Sequence, residues 1–190
     1  MLDEPIPLST GYPEPVELRR LGSADADAFA RHVAADERHL GEHLPWPEVT
    51  NTPEGAADWL GKYERQENGR VLVGGAWSGD ELIGGALLLH YDATYANVEL
   101  GVWVVSAAEG TGVASAACRE LIRVARDDLR AQRIEWQAAV DNTRSRRLAE
   151  KLGFTHEGSL RSIYELRGRR HSIDVLSLIG EEIDQAVARG

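Results

Sequence analysis

The 190-residue chain carries 21 basic and 31 acidic side chains, a net charge of −10, and 43% hydrophobic residues. That length suits one well-buried domain, no apolar run approaches the roughly 20 residues of a membrane-spanning helix, and the negative balance repels phosphate backbones. A membrane-spanning class is therefore excluded and DNA binding is disfavoured, while the charge suits a cationic small partner and plain solubility equally well.

Residues 1–15 are proline-rich and lack a basic start followed by an apolar stretch, so they read as an N-terminal extension, and cytoplasm is the expected compartment. Residues 16–21 (VELRRL) alternate as a first strand, and Ser23 or Asp25 is placed to cap a helix through Phe29 and Val33. His39 to Pro47 holds two prolines and a glycine and predicts an irregular loop. Within it, His39-Leu-Gly-Glu42-His43 matches a zinc-peptidase pattern, but Gly41, Pro45 and Pro47 oppose the helix that pattern requires, so no metal is expected. Pro53 opens a helix packing Ala56, Trp59, Leu60 and Tyr63, stopped by Asn68-Gly69.

Strand-like runs follow at 70–77 and 81–90, joined by the turn Ser78-Gly79-Asp80, with Gly84-Gly85 marking a bulge. A strand over 96–105 leads through Gly110 and Gly112 into an amphipathic helix bearing Val113, Ala117, Leu121 and Val124 on one face. The lone cysteine, Cys118, lies in this pattern and reads as a packing residue. A strand over 133–140 precedes a short helix capped by Asn142 and ended by Gly153, and strand-like runs at 154–166 and 170–179 close the domain before a tail at 181–190. The expected fold is a single-domain mixed α/β (α+β) unit over 16–180, with a mostly antiparallel sheet of about seven strands and helices on both faces.

Glu109-Gly110-Thr111-Gly112-Val113-Ala114 is the most informative segment. Its glycines permit a sharp turn and close approach of a ligand, while the first amides of the following helix stay unpaired and suit an anion. A nucleoside-triphosphate loop would need Gly-Lys-Ser/Thr here, and a dinucleotide fold would need a third glycine where Ser115 stands. An anion site of another kind and a plain strand-to-helix turn both fit the spacing.

The stretch Asp141-Asn142-Thr-Arg-Ser145-Arg146, followed by Lys151-Leu-Gly153-Phe154-Thr-His-Glu157-Gly158, resembles the GNAT acetyltransferase superfamily, whose pattern is Asn-x-x-Ser, an apolar helix and Lys-x-Gly-Phe-x-x-Glu-Gly. Leu44-Pro45-Trp46, the run from Asn97 to Trp103 and Gly168-Arg-Arg-His171 are similar to the branch that holds the bacterial acetyltransferases of ribosomal-protein N-termini, the RimJ/RimL type. The resemblance implies splayed central strands and direct transfer of an acetyl or other short acyl group from acyl-coenzyme A to a primary amine on a protein N-terminus or a small molecule. A homodimer also occurs among such relatives. No covalent acyl-enzyme and no metal are implied.

By the same resemblance the pantetheine arm lies along Trp103, Val104 and Val105, with a backbone N–H near Val104 stabilising the tetrahedral intermediate. The pyrophosphate sits on Glu109, Gly110, Thr111, Gly112, Val113 and Ala114. Asn142 and Ser145 reach the pantetheine amide and sulfur, or else satisfy the helix N-terminus, while Arg146 and Lys151 neutralise phosphates. Glu99 is the first candidate for general base, with an ordinary strand salt bridge as the alternative. Ser145 and Tyr164 are candidate acids, and His43, Trp46, Tyr95, Glu99 and His171 border the acceptor. Ala107 stands where relatives carry Gln or Arg, which leaves room for weaker donor binding, for an unusual donor such as succinyl-coenzyme A, or for a non-catalytic ligand-binding module.

Overall fold

Neighbouring apolar residues along the central strands face opposite ways, as a period of two requires. Leu72 and Leu88 enter one hydrophobic cluster, while Val73 and Leu87 enter another. The sheet is therefore buried on both faces, as it is in the computed structural model, which describes residues 1–188.

Eight strands build this sheet: β1 (Ile6–Leu8), β2 (Val16–Leu21), β3 (Leu72–Ser78), β4 (Glu81–Asp92), β5 (Asn97–Val104), β6 (Arg133–Ala139), β7 (Thr155–Leu166) and β8 (Arg169–Ile179). Their order is β1-β2-β3-β4-β5-β6-β8-β7, antiparallel throughout except for β5 beside β6. The helices are α1 (Ala26–Ala35), α2 (Glu37–Leu40), α3 (Pro47–Thr50), α4 (Pro53–Glu64), α5 (Val113–Asp127), α6 (Thr143–Leu152) and α7 (Glu181–Ala188). One face of the sheet packs on α1 and α4 through Phe29, Val33, Ala56 and Leu60, and the other on α5 through Val113, Leu121 and Ile122.

The expected mixed, mostly antiparallel sheet with helices on both faces is what forms. The eighth strand comes from residues 1–15, where Ile6 pairs with Leu18 and Leu8 with Val16. Residues 181–188 likewise form a helix that buries Ile183 and Ala186. The 39–47 segment is less irregular than its prolines suggest: α2 reaches Leu40, Gly41 ends it, and α3 starts on Pro47. That early stop separates His39 from His43, so the zinc-peptidase helix does not form. Among the described residues no helix is long and apolar enough to cross a membrane.

Other local choices follow the sequence. Thr52 caps α4, accepting from the Gly55 amide at 3.2 Å, with Pro53 in the first turn. The helix ends at Glu64, earlier than Asn68-Gly69 suggests. Gly84-Gly85 does lie beside a register shift, since Ala76 pairs with Gly84 and Trp77 with Leu82. Gly85 also makes room for an aromatic ring: a Cβ there would lie 2.5 Å from the Trp103 indole. Cys118 is fully buried in the α5 core and its thiol is pushed up by that burial, which suits packing and not nucleophilic chemistry.

Candidate active site at a split in the sheet

β5 and β6 pair over only three residue pairs, Asn97 with Arg133, Val98 with Ile134 and Glu99 with Glu135. Beyond Glu99, β5 stays paired with β4 as far as Val104, and β6 stays paired with β8 as far as Ala139. The two strands therefore part in a V whose walls are strand edges. A cavity of about 820 Å³ fills the V, lined by consecutive residues 100–104 and 136–139. A pocket on a sheet face would be lined by alternate residues, so consecutive lining marks backbone edges with unpaired N–H and C=O groups.

At one end of the cavity stands the N-terminus of α5. Gly112 caps it with φ 88 and no side-chain hydrogen bond, and Gly110 takes φ 74. Both are conformations that disfavour a side chain. Gly110, Gly112, Ala114 and Ser115 line the cavity there, so the free amides of the first helical turn and the positive end of the helix dipole face it. Thr111 turns outward, its carbonyl accepting from the Gly11 amide at 2.6 Å and its hydroxyl bonded to Ala108. Val113 is core, and Val105 is still tied to β4 through Ile83.

The second wall is α6. Asn142 Oδ1 accepts from the Ser145 amide at 3.0 Å, so Asn142 does act as helix cap while lining the cavity. The Ser145 hydroxyl accepts from the Trp136 indole N–H at 2.9 Å, which leaves its own hydrogen free to point at a ligand. Arg144, Arg147, Leu148 and Lys151, the i, i+3, i+4, i+7 stripe of one helical face, line the cavity together with Ser145. Arg146 lies off that stripe and engages Glu150 at 3.0 Å and Asp174 at 3.5 Å. Arg144 and Arg147 were not expected from the resemblance, although projecting the helix from Ser145 and Lys151 identifies both.

Arg144 also changes the charge at the mouth. Its guanidinium lies 2.6 Å from Glu109 and 3.4 Å from Glu42, and His39 approaches Glu109 at 3.4 Å. The Glu109 carboxylate beside the α5 N-terminus is thus paired with a cation from the opposite wall.

The far end of the cavity is aromatic. Trp46, Trp59 and Tyr63 line it together with His43, Arg70 and Leu89. Trp46 stacks on Phe29 at 5.6 Å and meets Trp103 edge-on at 5.7 Å. Trp103 donates its indole N–H to His32 Nε2 at 3.0 Å, and His32 Nδ1 lies 2.6 Å from the Leu82 carbonyl. Burial lowers the His32 imidazole to about 4, so it is neutral, donating at Nδ1 and accepting at Nε2. A buried, satisfied chain of hydrogen bonds therefore sets the position of β5 where the sheet opens.

Glu99 occupies the last paired rung before the V and faces the cavity. Its carboxylate lies 2.9 Å from His90 Nδ1, so the side chain lines the cavity while engaged by the imidazole. Tyr63, raised by burial, and Arg70, whose guanidinium lies 5.7 Å from the Tyr63 ring, complete that corner. The remaining expected residues stand away from the cavity. Tyr164 and His171 pair across β7 and β8 and stack on each other at 5.3 Å, and Tyr95 is 70% exposed in the β4–β5 turn.

The sequence profile of the acetyltransferase (GNAT) domain matches residues 16–155. A Bacillus subtilis (strain 168) protein, YdaF, named provisionally as a ribosomal N-acetyltransferase, is 30% identical over 174 residues, covering 89% of this chain and 93% of its own. The ribosomal-protein-serine acetyltransferase of Escherichia coli (strain K12) is 24% identical, covering 78% of this chain and 83% of its own. Among solved structures, RimJ of Mycobacterium smegmatis in complex with CoA-disulfide superposes with a TM-score of 0.87 at 25% identity, over 99% of this chain and 93% of that one.

Proposed function

Because the chain belongs to the GNAT acetyltransferase family and is an acyl-coenzyme A-dependent N-acetyltransferase, we propose that its acceptor is the α-amino group of a protein N-terminus. The carrying observation is one continuous cavity that joins the amides of α5, the split strands and Glu99 to an aromatic mouth at Trp46 and Trp59. The names of the relatives as ribosomal-protein acetyltransferases support the acceptor class.

The residues present fit the donor. An elongated chain with amide groups matches the free strand edges of 100–104 and 136–139, and a diphosphate matches the uncapped amides at Val113 to Ser115 with Arg144, Arg147 and Lys151 around it. Glu99 takes a proton from the acceptor ammonium, since only the neutral amine attacks a thioester. Backbone N–H groups near Val104 polarise the thioester carbonyl, and the Ser145 hydroxyl donates to the departing sulfur. Transfer is direct: the amine nitrogen bonds the acyl carbon to give a tetrahedral intermediate, and its collapse breaks the carbon–sulfur bond. We assign residues 16–180 as the catalytic domain, with the segments on either side completing its sheet and core.

The test is incubation of purified protein with acetyl-coenzyme A, and separately succinyl-coenzyme A, against peptides with free N-termini, polyamines and aminoglycosides. Mass spectrometry should find one acetyl group on a peptide N-terminus. Turnover of only the small amines would refute the acceptor assignment, and exclusive use of the succinyl donor would correct the acyl group.

A further inference from the structure

His90 stands where a regular strand would not put it. Leu89 and Glu99 are cross-strand partners and both line the cavity. The residue after Leu89 should then face the opposite side of the sheet. Instead the pairing of β4 with β5 shifts between Leu89 and Asp92, and His90 adopts φ 53 in the left-handed region. Such a conformation is unfavourable for a residue with a Cβ and persists where surrounding structure enforces it. Gly69, itself at φ 73, packs so closely that a Cβ would lie 2.9 Å from the Tyr91 amide nitrogen and carbonyl oxygen. The result is the 2.9 Å contact between His90 Nδ1 and Glu99 Oε2.

The two partners look in different directions. The Glu99 side chain is 17% exposed and faces the cavity, whereas the His90 side chain is 65% exposed and faces water. The reaction needs such a link. An ammonium acceptor loses one proton before attack and a second as the amide forms. The leaving thiolate takes up one, so one proton per turnover must reach solvent while the acceptor covers the carboxylate.

We propose that His90 relays this proton from Glu99 to bulk water. Nδ1 accepts the proton from the Glu99 carboxyl as Nε2 releases its own to water. In the resting pair the neutral ring holds its hydrogen at Nδ1 and donates it to the carboxylate; once Glu99 is protonated, exchange with water moves that hydrogen to Nε2, and the transfer then restores the resting tautomer. This rests on Glu99 as the general base.

Around the pair, Arg70 and Glu135 oppose each other in their effect on the ring. The Glu99 hydrogen bond is the largest influence and raises the imidazole above its ordinary value. Tyr63, raised by burial, stays protonated and does not compete for the proton. A doubly protonated ring has no lone pair at Nδ1, so the relay works only at pH values above the titration of His90.

The experiment is steady-state kinetics of the parent, H90Q, H90A and E99Q in dilute buffer from about pH 6 to 9. Acetyl-coenzyme A binding serves as the check that each variant is folded. The expected result is kcat for H90Q about tenfold below the parent at alkaline pH, less than the hundredfold or more that a general base contributes because Glu99 itself remains in place. That ratio should shrink toward one at acid pH, where the parent ring is protonated, and added imidazole should restore H90A.

Glutamine can hold the carboxylate but cannot pass a proton. H90Q matching the parent at every pH would therefore overturn the relay, as would a pH-independent loss without imidazole rescue, which marks a structural role. If E99Q is as active as the parent, the base assignment falls and the relay with it. If E99Q loses about a hundredfold while H90Q loses nothing, the relay alone falls.

Discussion

His32 offers a quantitative test of the hydrogen-bond chain that holds Trp103 at the split. The ring is 6% exposed and satisfied at both nitrogens, and burial lowers it from 6.5 to about 4. Desolvation is the main cause, partly opposed by the Leu82 carbonyl and the Asp36 charge. In the unfolded chain His32 binds a proton below its ordinary value, whereas the folded protein refuses one until much lower pH. Stability is therefore full above that ordinary value and is lost as pH falls toward about 4, where the folded ring also protonates. At ~1.4 kcal/mol for each pH unit between the two values, the loss is about 3 kcal/mol.

The perturbation is His32→Gln, whose amide oxygen can still accept from Trp103 and whose side chain does not titrate. Urea unfolding followed by tryptophan fluorescence, at a series of pH values, gives both stabilities. The variant should carry a roughly constant penalty of about 1 kcal/mol for the altered bond to Leu82. The difference between parent and variant should fall by about 3 kcal/mol between neutral pH and about pH 4. Carboxylate titrations are common to both proteins and cancel. A difference that stays flat over this range would refute the buried neutral imidazole and the chain built on it.

Gly112→Glu places a carboxylate and a strained backbone at the free α5 amides. Because no atom lies within 4 Å of a Cβ there, the fold should survive while calorimetry shows acetyl-coenzyme A binding weakened more than about tenfold. Ser145→Ala removes the hydroxyl that accepts from Trp136, and kcat should fall about tenfold with the Kd for coenzyme A little changed. An equal loss in binding would instead make Ser145 a ligand-holding group. Glu157 is held at about 2 by the Arg133 guanidinium and the Ser177 hydroxyl, so its contribution is present above the usual carboxylate range and lost as pH falls through about 2. Glu157 is exposed and Arg133 only partly buried, so Glu157→Gln should cost under about 1 kcal/mol in urea unfolding at neutral pH.

The legible parts of this protein are those encoded over short stretches. The strand into Gly110 and Gly112, the Asn142 cap and the Pro53 helix start each follow from residues within one turn or strand of one another, while the cavity-facing Glu99 is singled out by the family resemblance. The illegible parts depend on partners distant in sequence. Nothing local brings Arg144 to Glu42 and Glu109, or makes Ile6 to Leu8 an edge strand, because those contacts exist only after the sheet has formed. Tyr164 and His171 fit a family position by sequence, yet their cross-strand stacking is satisfied between themselves. His90 escaped notice for a different reason: strand periodicity assigns it to the wrong side, and only the register shift corrects that.

Three rungs at Asn97, Val98 and Glu99 act as the spine of an opening book. A small rotation about that spine displaces Glu99 hardly at all, while the displacement grows along β5 toward Val104 and the α5 amides. The fold thus separates tolerance from accuracy by leverage. A change in the angle between the two strands would alter the gap at that wide end, while the carboxylate at the fulcrum would keep its place.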